Sequence, residues 1–121
     1  KLVNNYFYGS TDAGTTAAIR IVGGNDIVIK NNEIYGNFGA ANGCIENITT
    51  PGLRWIIDGN RLANTTGSST KTIALQNGTS GFVTNNRSAI LSGTAPFGAA
   101  GAYVGGNYSA VAAGVTAGTL I

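Results

Sequence analysis

Apolar and polar residues alternate on both sides of a recurring pair of small polar residues. The pairs are Asn4-Asn5, Asn31-Asn32, Gly59-Asn60, Asn85-Asn86 and Gly106-Asn107. Three residues before the second Asn stand Leu2, Ile29, Ile57, Val83 and Val104. Five before it stand Ile27, Trp55, Gly81 and Ala102, and two after it stand Phe7, Ile34, Leu62, Ser88 and Ser109. This alternation has the period of a strand rather than a helix. Each repeat therefore predicts a strand, a two-residue bend and a second strand. Asn and Gly enter the left-handed backbone region at least cost, so the first bend position calls for a positive φ. The invariant second Asn calls for a different reason. Stacked repeats would set these amides one above another, each with donors and acceptors for its neighbours. The expected ladder is Asn5, Asn32, Asn60, Asn86 and Asn107.

Successive ladder positions are separated by 27 (5 to 32), 28 (32 to 60), 26 (60 to 86) and 21 (86 to 107) residues. A near-constant period in the twenties marks a solenoid. A further strand precedes each bend, read at Ile19-Arg20-Ile21, at Ile45 and at Ile73-Ala74-Leu75, with extra residues in the middle repeat from Gly43 to Pro51. The intervening segments, Gly9 to Thr16, Gly36 to Gly43, Asn64 to Lys71 and Ser92 to Ala100, carry turn chemistry. Three short strands per repeat, all running the same way, make one coil of a parallel β-helix. The expected class is all-β, as one domain. Residues 1–91 form the coils, and residues 92–121 form a last coil and tail without charge.

Three segments carry a family resemblance: Ile27-Val28-Ile29-Lys30-Asn31-Asn32-Glu33-Ile34, Trp55-Ile56-Ile57-Asp58-Gly59-Asn60-Arg61-Leu62 and Phe82-Val83-Thr84-Asn85-Asn86. They resemble the right-handed parallel β-helix superfamily of pectate lyases, polygalacturonases and phage tail spikes. In that family a left-handed residue followed by a stacked Asn occupies the tight turn between two sheets. The resemblance covers almost the whole chain, more weakly after Ser92. It implies a right-handed solenoid of about four short coils. It also implies a homotrimer, since trimeric β-helices are characteristic of the spike group. It says little about activity.

The same columns sort the charges. Asp26 and Arg54 share one position, Lys30 and Asp58 a second, and Glu33, Arg61 and Arg87 a third. Neighbouring coils lie about 4.8 Å apart, so three acid–base pairs are expected on the outward faces. Arg20 meets Glu46 in the same way if the earlier strand keeps a period of 26 (20 to 46). These pairs resist slippage, because a shifted coil loses or inverts the pattern.

That pairing occupies four of the five carboxylates. Glycosidases flank one bond with two carboxylates, roughly 5–9.5 Å apart. Glu33 and Asp58 are the one plausible pair, and both read as structural bridges. Asp12 reads as a turn cap. His is absent, so the commonest general base is missing. Cys44 stands alone and reads as a small buried residue. Neither a metal site nor a cofactor is expected, and the family's calcium-binding carboxylate cluster has no matching positions. A net charge of +2 with 10% charged residues leaves no footprint for nucleic acid. The sequons at Asn47, Asn64, Asn77, Asn86 and Asn107 arise by chance in such a composition, and the Thr doublets at Thr15, Thr49 and Thr65 are too irregular for an ice-binding array.

No charged residue follows Arg87, leaving 34 positions (121 − 87) of mostly small residues. Pro96, Asn107 and many Gly interrupt any membrane span. Two readings stay open. One is a tapering coil and tail. The other is a subunit interface, with Phe97, Tyr103, Tyr108, Val115, Leu120 and Ile121 as apolar contacts. The chain opens on Lys1, contains no Met and reads as a piece of a larger protein, its solenoid ends covered by a partner or by further sequence.

Two functional classes follow. The first is a non-catalytic structural protein of a phage virion: a tail spike or fibre module, or a capsid-decorating cement subunit. Its expected partners are two further copies, other virion proteins and host surface polysaccharide. The second is a secreted polysaccharide-binding or polysaccharide-cleaving module of the pectate lyase type. Trp55, Tyr35 and Tyr8 would stack on sugars there, although Trp55 shares its column with Ile27 and reads as core.

Overall fold

The computed structural model describes residues 1–9, 17–38, 43–65, 71–90, 97–98, 101–111 and 119–120. These residues form strands and no helix. The first sheet holds β1 (Leu2–Val3), β4 (Val28–Lys30), β7 (Trp55–Asp58), β10 (Gly81–Thr84) and β13 (Tyr103–Gly105), in that spatial order. The second holds β2 (Tyr6–Tyr8), β5 (Glu33–Gly36), β8 (Arg61–Asn64), β11 (Arg87–Ile90), β14 (Tyr108–Val111) and β15 (Thr119–Leu120). The third holds β3 (Ile19–Ile21), β6 (Ile45–Asn47), β9 (Ile73–Ala74) and β12 (Phe97–Gly98). The chain thus visits the three sheets in rotation and returns to each one strand further along.

Register follows the inward residues. Leu2 pairs with Ile29, Ile29 with Ile57, Ile57 with Val83 and Val83 with Val104. On the second sheet Phe7, Ile34, Leu62 and Ser88 succeed one another, and on the third Ile19, Ile45, Ile73 and Phe97. Ile29, Ile45, Ile57 and Ile73 are fully buried. Burying such a side chain contributes about 1.5–3 kcal/mol. Leu2, Phe7, Phe97 and Val104, on the outer passes, are only partly covered. A one-residue slip would turn the buried set toward water, so the core itself fixes the register.

The first residue of every recurring pair adopts a positive φ: Asn4 59°, Asn31 53°, Gly59 67°, Asn85 55° and Gly106 66°. Asp26 and Arg54, six residues before their asparagines, also sit at φ 59°. Arg is an unusual choice for that region, and no local pattern announces it.

The tail adds a strand that the repeat did not predict. β15 pairs antiparallel with β14, Tyr108 opposite Leu120 and Ser109 opposite Thr119. Residues 112–118 separate the two strands. A parallel return needs about a dozen residues or more, so this connection permits only a reversal. The reversed strand covers the outer edge of β14, one of the edges for which an external cap was expected.

Candidate functional site

Where the first sheet meets the second, the asparagines form a continuous hydrogen-bonded column. Asn5 Nδ2 donates to Asn32 Oδ1 at 3.1 Å, Asn32 Nδ2 to Asn60 Oδ1 at 3.0 Å, Asn60 Nδ2 to Asn86 Oδ1 at 2.9 Å and Asn86 Nδ2 to Asn107 Oδ1 at 3.0 Å. Each oxygen also accepts the backbone N–H of the asparagine on the preceding pass. The second proton of Asn32, Asn60, Asn86 and Asn107 goes to the carbonyls of Leu2, Ile29, Ile57 and Val83. These four asparagines are buried, while Asn5 is exposed.

A second polar group had no repeating signal to reveal it. Asn47 is buried, donates to Ile21 O at 3.2 Å and Thr50 O at 3.0 Å, and accepts from Thr79 Oγ1 at 2.7 Å. It ties the insertion after β6 to the passes on both sides. Ser88, which follows Phe7, Ile34 and Leu62 in its column, shares a 2.9 Å hydrogen bond with buried Thr72. Among the sequons, Asn47, Asn64, Asn86 and Asn107 are buried, while Asn77 is exposed.

The structure brings the charged columns together. Lys30 Nζ lies 3.1 Å from Asp58 Oδ2, Arg54 Nε 2.7 Å from Asp26 Oδ1 and Arg61 Nη1 3.5 Å from Glu33 Oε2. Arg54 also donates through Nη2 to Asp26 Oδ2 at 2.7 Å, which completes a forked pair. That hydrogen bonding holds the Asp26 carboxyl below its ordinary range. Asp58 is lowered as well, chiefly by the Asn85 amide at 2.8 Å, helped by Lys30 and by Thr84 at 2.9 Å. Both groups lend stability that is present above the unfolded carboxylate range and lost as pH falls through their lowered folded values. The exposed pairs lock register more than they stabilise.

Glu46 behaves differently. It faces outward on β6, yet it is buried. Arg20 Nε approaches Oε1 at 2.9 Å, but off the N–H direction, so that oxygen accepts no hydrogen bond. Burial therefore raises the Glu46 carboxyl, and Arg20 offsets this only in part. A raised acid takes up its proton in the folded state first, so Glu46 weakens folding as pH rises through its folded value. Glu46→Gln should raise stability at pH 7 by about 1 kcal/mol. It should also flatten the pH dependence just above the ordinary carboxylate range. Urea titrations at pH 4, 5 and 7 check this, and a large loss at pH 7 would show that the Arg20 pair outweighs desolvation.

Trp55 is core: its ring is buried and its Nε1 donates to Gly24 O at 2.7 Å. Burial also pushes the Cys44 thiol well above its usual range, so the thiol is inert near neutrality. Phe97 packs against the core, whereas Tyr103 and Tyr108 are exposed. Leu120 lies in β15, and Asp12, Val115 and Ile121 lie outside the described residues.

Two outward features were not read from the repeat. Four residues before the asparagines, Val28, Ile56, Phe82 and Tyr103 form an apolar stripe across the first sheet, with Ile56, Phe82 and Tyr103 exposed. Three residues after them, Tyr8 stacks on Tyr35 with ring centres 5.7 Å apart, and Ala63 and Ala89 follow in register. The inward columns had absorbed the pattern, and the outward ones shared no single residue type.

Among the described residues no group of His, Cys, Asp and Glu is placed to hold a metal, and no helix is long and apolar enough to cross a membrane. The sheets and columns define an all-β protein of parallel strands in three sheets. No known protein family, curated protein or solved structure matches the chain.

Proposed function

We propose that the chain is a right-handed parallel β-helix with an asparagine ladder, serving as a non-catalytic structural module of a phage virion and associating as a homotrimer. Right-handedness follows from the preference of parallel crossovers. The observation that carries the role is the use of the carboxylates. Asp26, Glu33, Glu46 and Asp58 each face a base on a neighbouring pass. They hold passes in register rather than flanking a bond. The apolar stripe Val28, Ile56, Phe82 and Tyr103 supports side-by-side association.

Light scattering should give three times the chain mass, and Phe82→Ser should reduce it. A monomer at all concentrations would overturn the trimer. Incubation with acidic and neutral polysaccharides should give no new reducing ends. Turnover lost in Glu33→Gln or Asp58→Asn would overturn the structural role. Mass spectrometry of purified phage particles should recover the chain, and particles lacking it would remove the virion setting.

A further inference from the structure

We propose that Asn77 and Gly78 form a self-modifying site. In the folded chain Asn77 deamidates through a cyclic imide to an isoaspartyl linkage, and the longer linkage loosens the corner that braces residues 48–53. Water is the one co-reactant. The site depends on neither the trimer nor the virion role.

The first argument is access. The reaction needs a backbone N–H free to attack the side-chain carbon of the residue before it. After the ladder residues Asn32, Asn60 and Asn86 that N–H is engaged: Glu33, Arg61 and Arg87 donate to the carbonyls of Asn5, Asn32 and Asn60. After Asn47 and Asn64, Ile48 donates to Ile21 O and Thr65 to Gly36 O. Asp58-Gly59 is a dipeptide suited to the same imide. Yet Gly59 N–H donates to Thr84 O at 3.1 Å, and Lys30, Thr84 and Asn85 hold the Asp58 carboxylate. Asn77 differs on each count. Residues 76–79 form a β-turn closed by the Thr79 N–H on Gln76 O at 3.0 Å, with Gly78 at φ 89°, which is type II. Asn77 and Gly78 are both exposed at its tip. Among the described residues neither the Asn77 amide nor the Gly78 N–H has a hydrogen-bond partner. Gly78 has no side chain to crowd the attack. Asn42 also precedes a glycine, and it lies outside the described residues.

The second argument is consequence. The Gly78 nitrogen bonds to Asn77 Cγ and gives up its proton, and the side-chain amide leaves as ammonia. Water then opens the imide at either carbonyl, and nothing is oxidised or reduced. One product is aspartate at 77. The other carries the main chain through the former side chain and is one carbon longer. That extra carbon falls just before Thr79, which is buried. Thr79 Oγ1 donates to Asn47 Oδ1 at 2.7 Å and accepts from Gly52 N at 3.4 Å. Displacing Thr79 therefore releases both ends of the segment after β6 together. The class of partner that fits the product is an isoaspartyl methyltransferase, which reads the linkage rather than a fold.

Prolonged incubation of the folded chain in mildly alkaline buffer tests this. The tryptic peptide 72–87 is then sequenced by mass spectrometry, and its isoaspartate is counted with an isoaspartyl methyltransferase and a labelled methyl donor. Asn77 should convert before any other described asparagine, mostly to isoaspartate, while Asp58 keeps its normal linkage. Asn77→Gln, at an exposed position, should abolish methyl acceptance by that peptide and leave the urea midpoint unchanged. In the urea-unfolded chain Asp58-Gly59 should react as well, because its protection is structural. The isoaspartyl form, separated by chromatography, should unfold at lower urea than Asn77→Asp, which carries the charge without the longer chain. Intact Asn77 after another asparagine has been fully converted would overturn the site. Equal urea midpoints for the isoaspartyl form and Asn77→Asp would overturn the loosening.

Discussion

Asn60→Ala is expected to destabilise the chain by about 3 kcal/mol, because two buried donors of Asn32 lose their shared acceptor at once. Asn60 Oδ1 accepts both the backbone N–H and the side-chain amide of Asn32, and Asn60 Nδ2 donates to Ile29 O and Asn86 Oδ1. Removing the side chain leaves the Asn32 N–H and one Asn32 amide proton without their acceptor in a corner closed to water. Asn86 Oδ1 keeps the backbone N–H of position 60. The effect should be graded along the column. Asn5 is exposed, and water can replace what its side chain offers, so Asn5→Ala should cost well under about 1 kcal/mol. Urea denaturation of the two variants decides the point. Equal and small losses would mean that the column is a consequence of stacking rather than a cause of it.

Gly52→Ala is expected to cost about 3 kcal/mol or to prevent folding, the upper range for overpacking. Gly52 is buried, and a Cβ there would run into the Trp55 indole nitrogen and the Gly24 carbonyl. Those two atoms are themselves joined by the Trp55 hydrogen bond. The added methyl would therefore break that hydrogen bond as well as crowd a ring. Trp55→Leu in the same chain should relieve the ring clash but not the carbonyl clash. The double variant should thus lose less than the sum of the single losses, a coupling that a double-mutant cycle in urea measures. Strict additivity would show that the indole does not seal this position.

Much of this architecture is written in short-range pattern. The alternation around each Asn pair marks β1 with β2, β4 with β5, β7 with β8, β10 with β11 and β13 with β14, and the period of the pairs implies their parallel stacking. Lys30 with Asp58 is legible for the same reason, since residues in one column of a repeat become neighbours. The legibility ends where the repeat does. Asn47 occurs once in its column, so nothing announced its bonds to Thr50 and Thr79. The left-handed backbone of Arg54 has no intrinsic preference behind it; the forked pair with Asp26 lies across the pass.

By itself the sequence determined the strands, their bends, the inward columns and the partners of most charges, because each depends on residue type at a fixed spacing. Tertiary structure decided the rest. It buried Glu46 at an outward position, where only packing from outside the strand can desolvate a carboxylate. It turned Thr119–Leu120 back along β14, because the connection is too short for a parallel return. It also set the Tyr8 and Tyr35 rings 15° from parallel, an orientation that residue spacing does not specify.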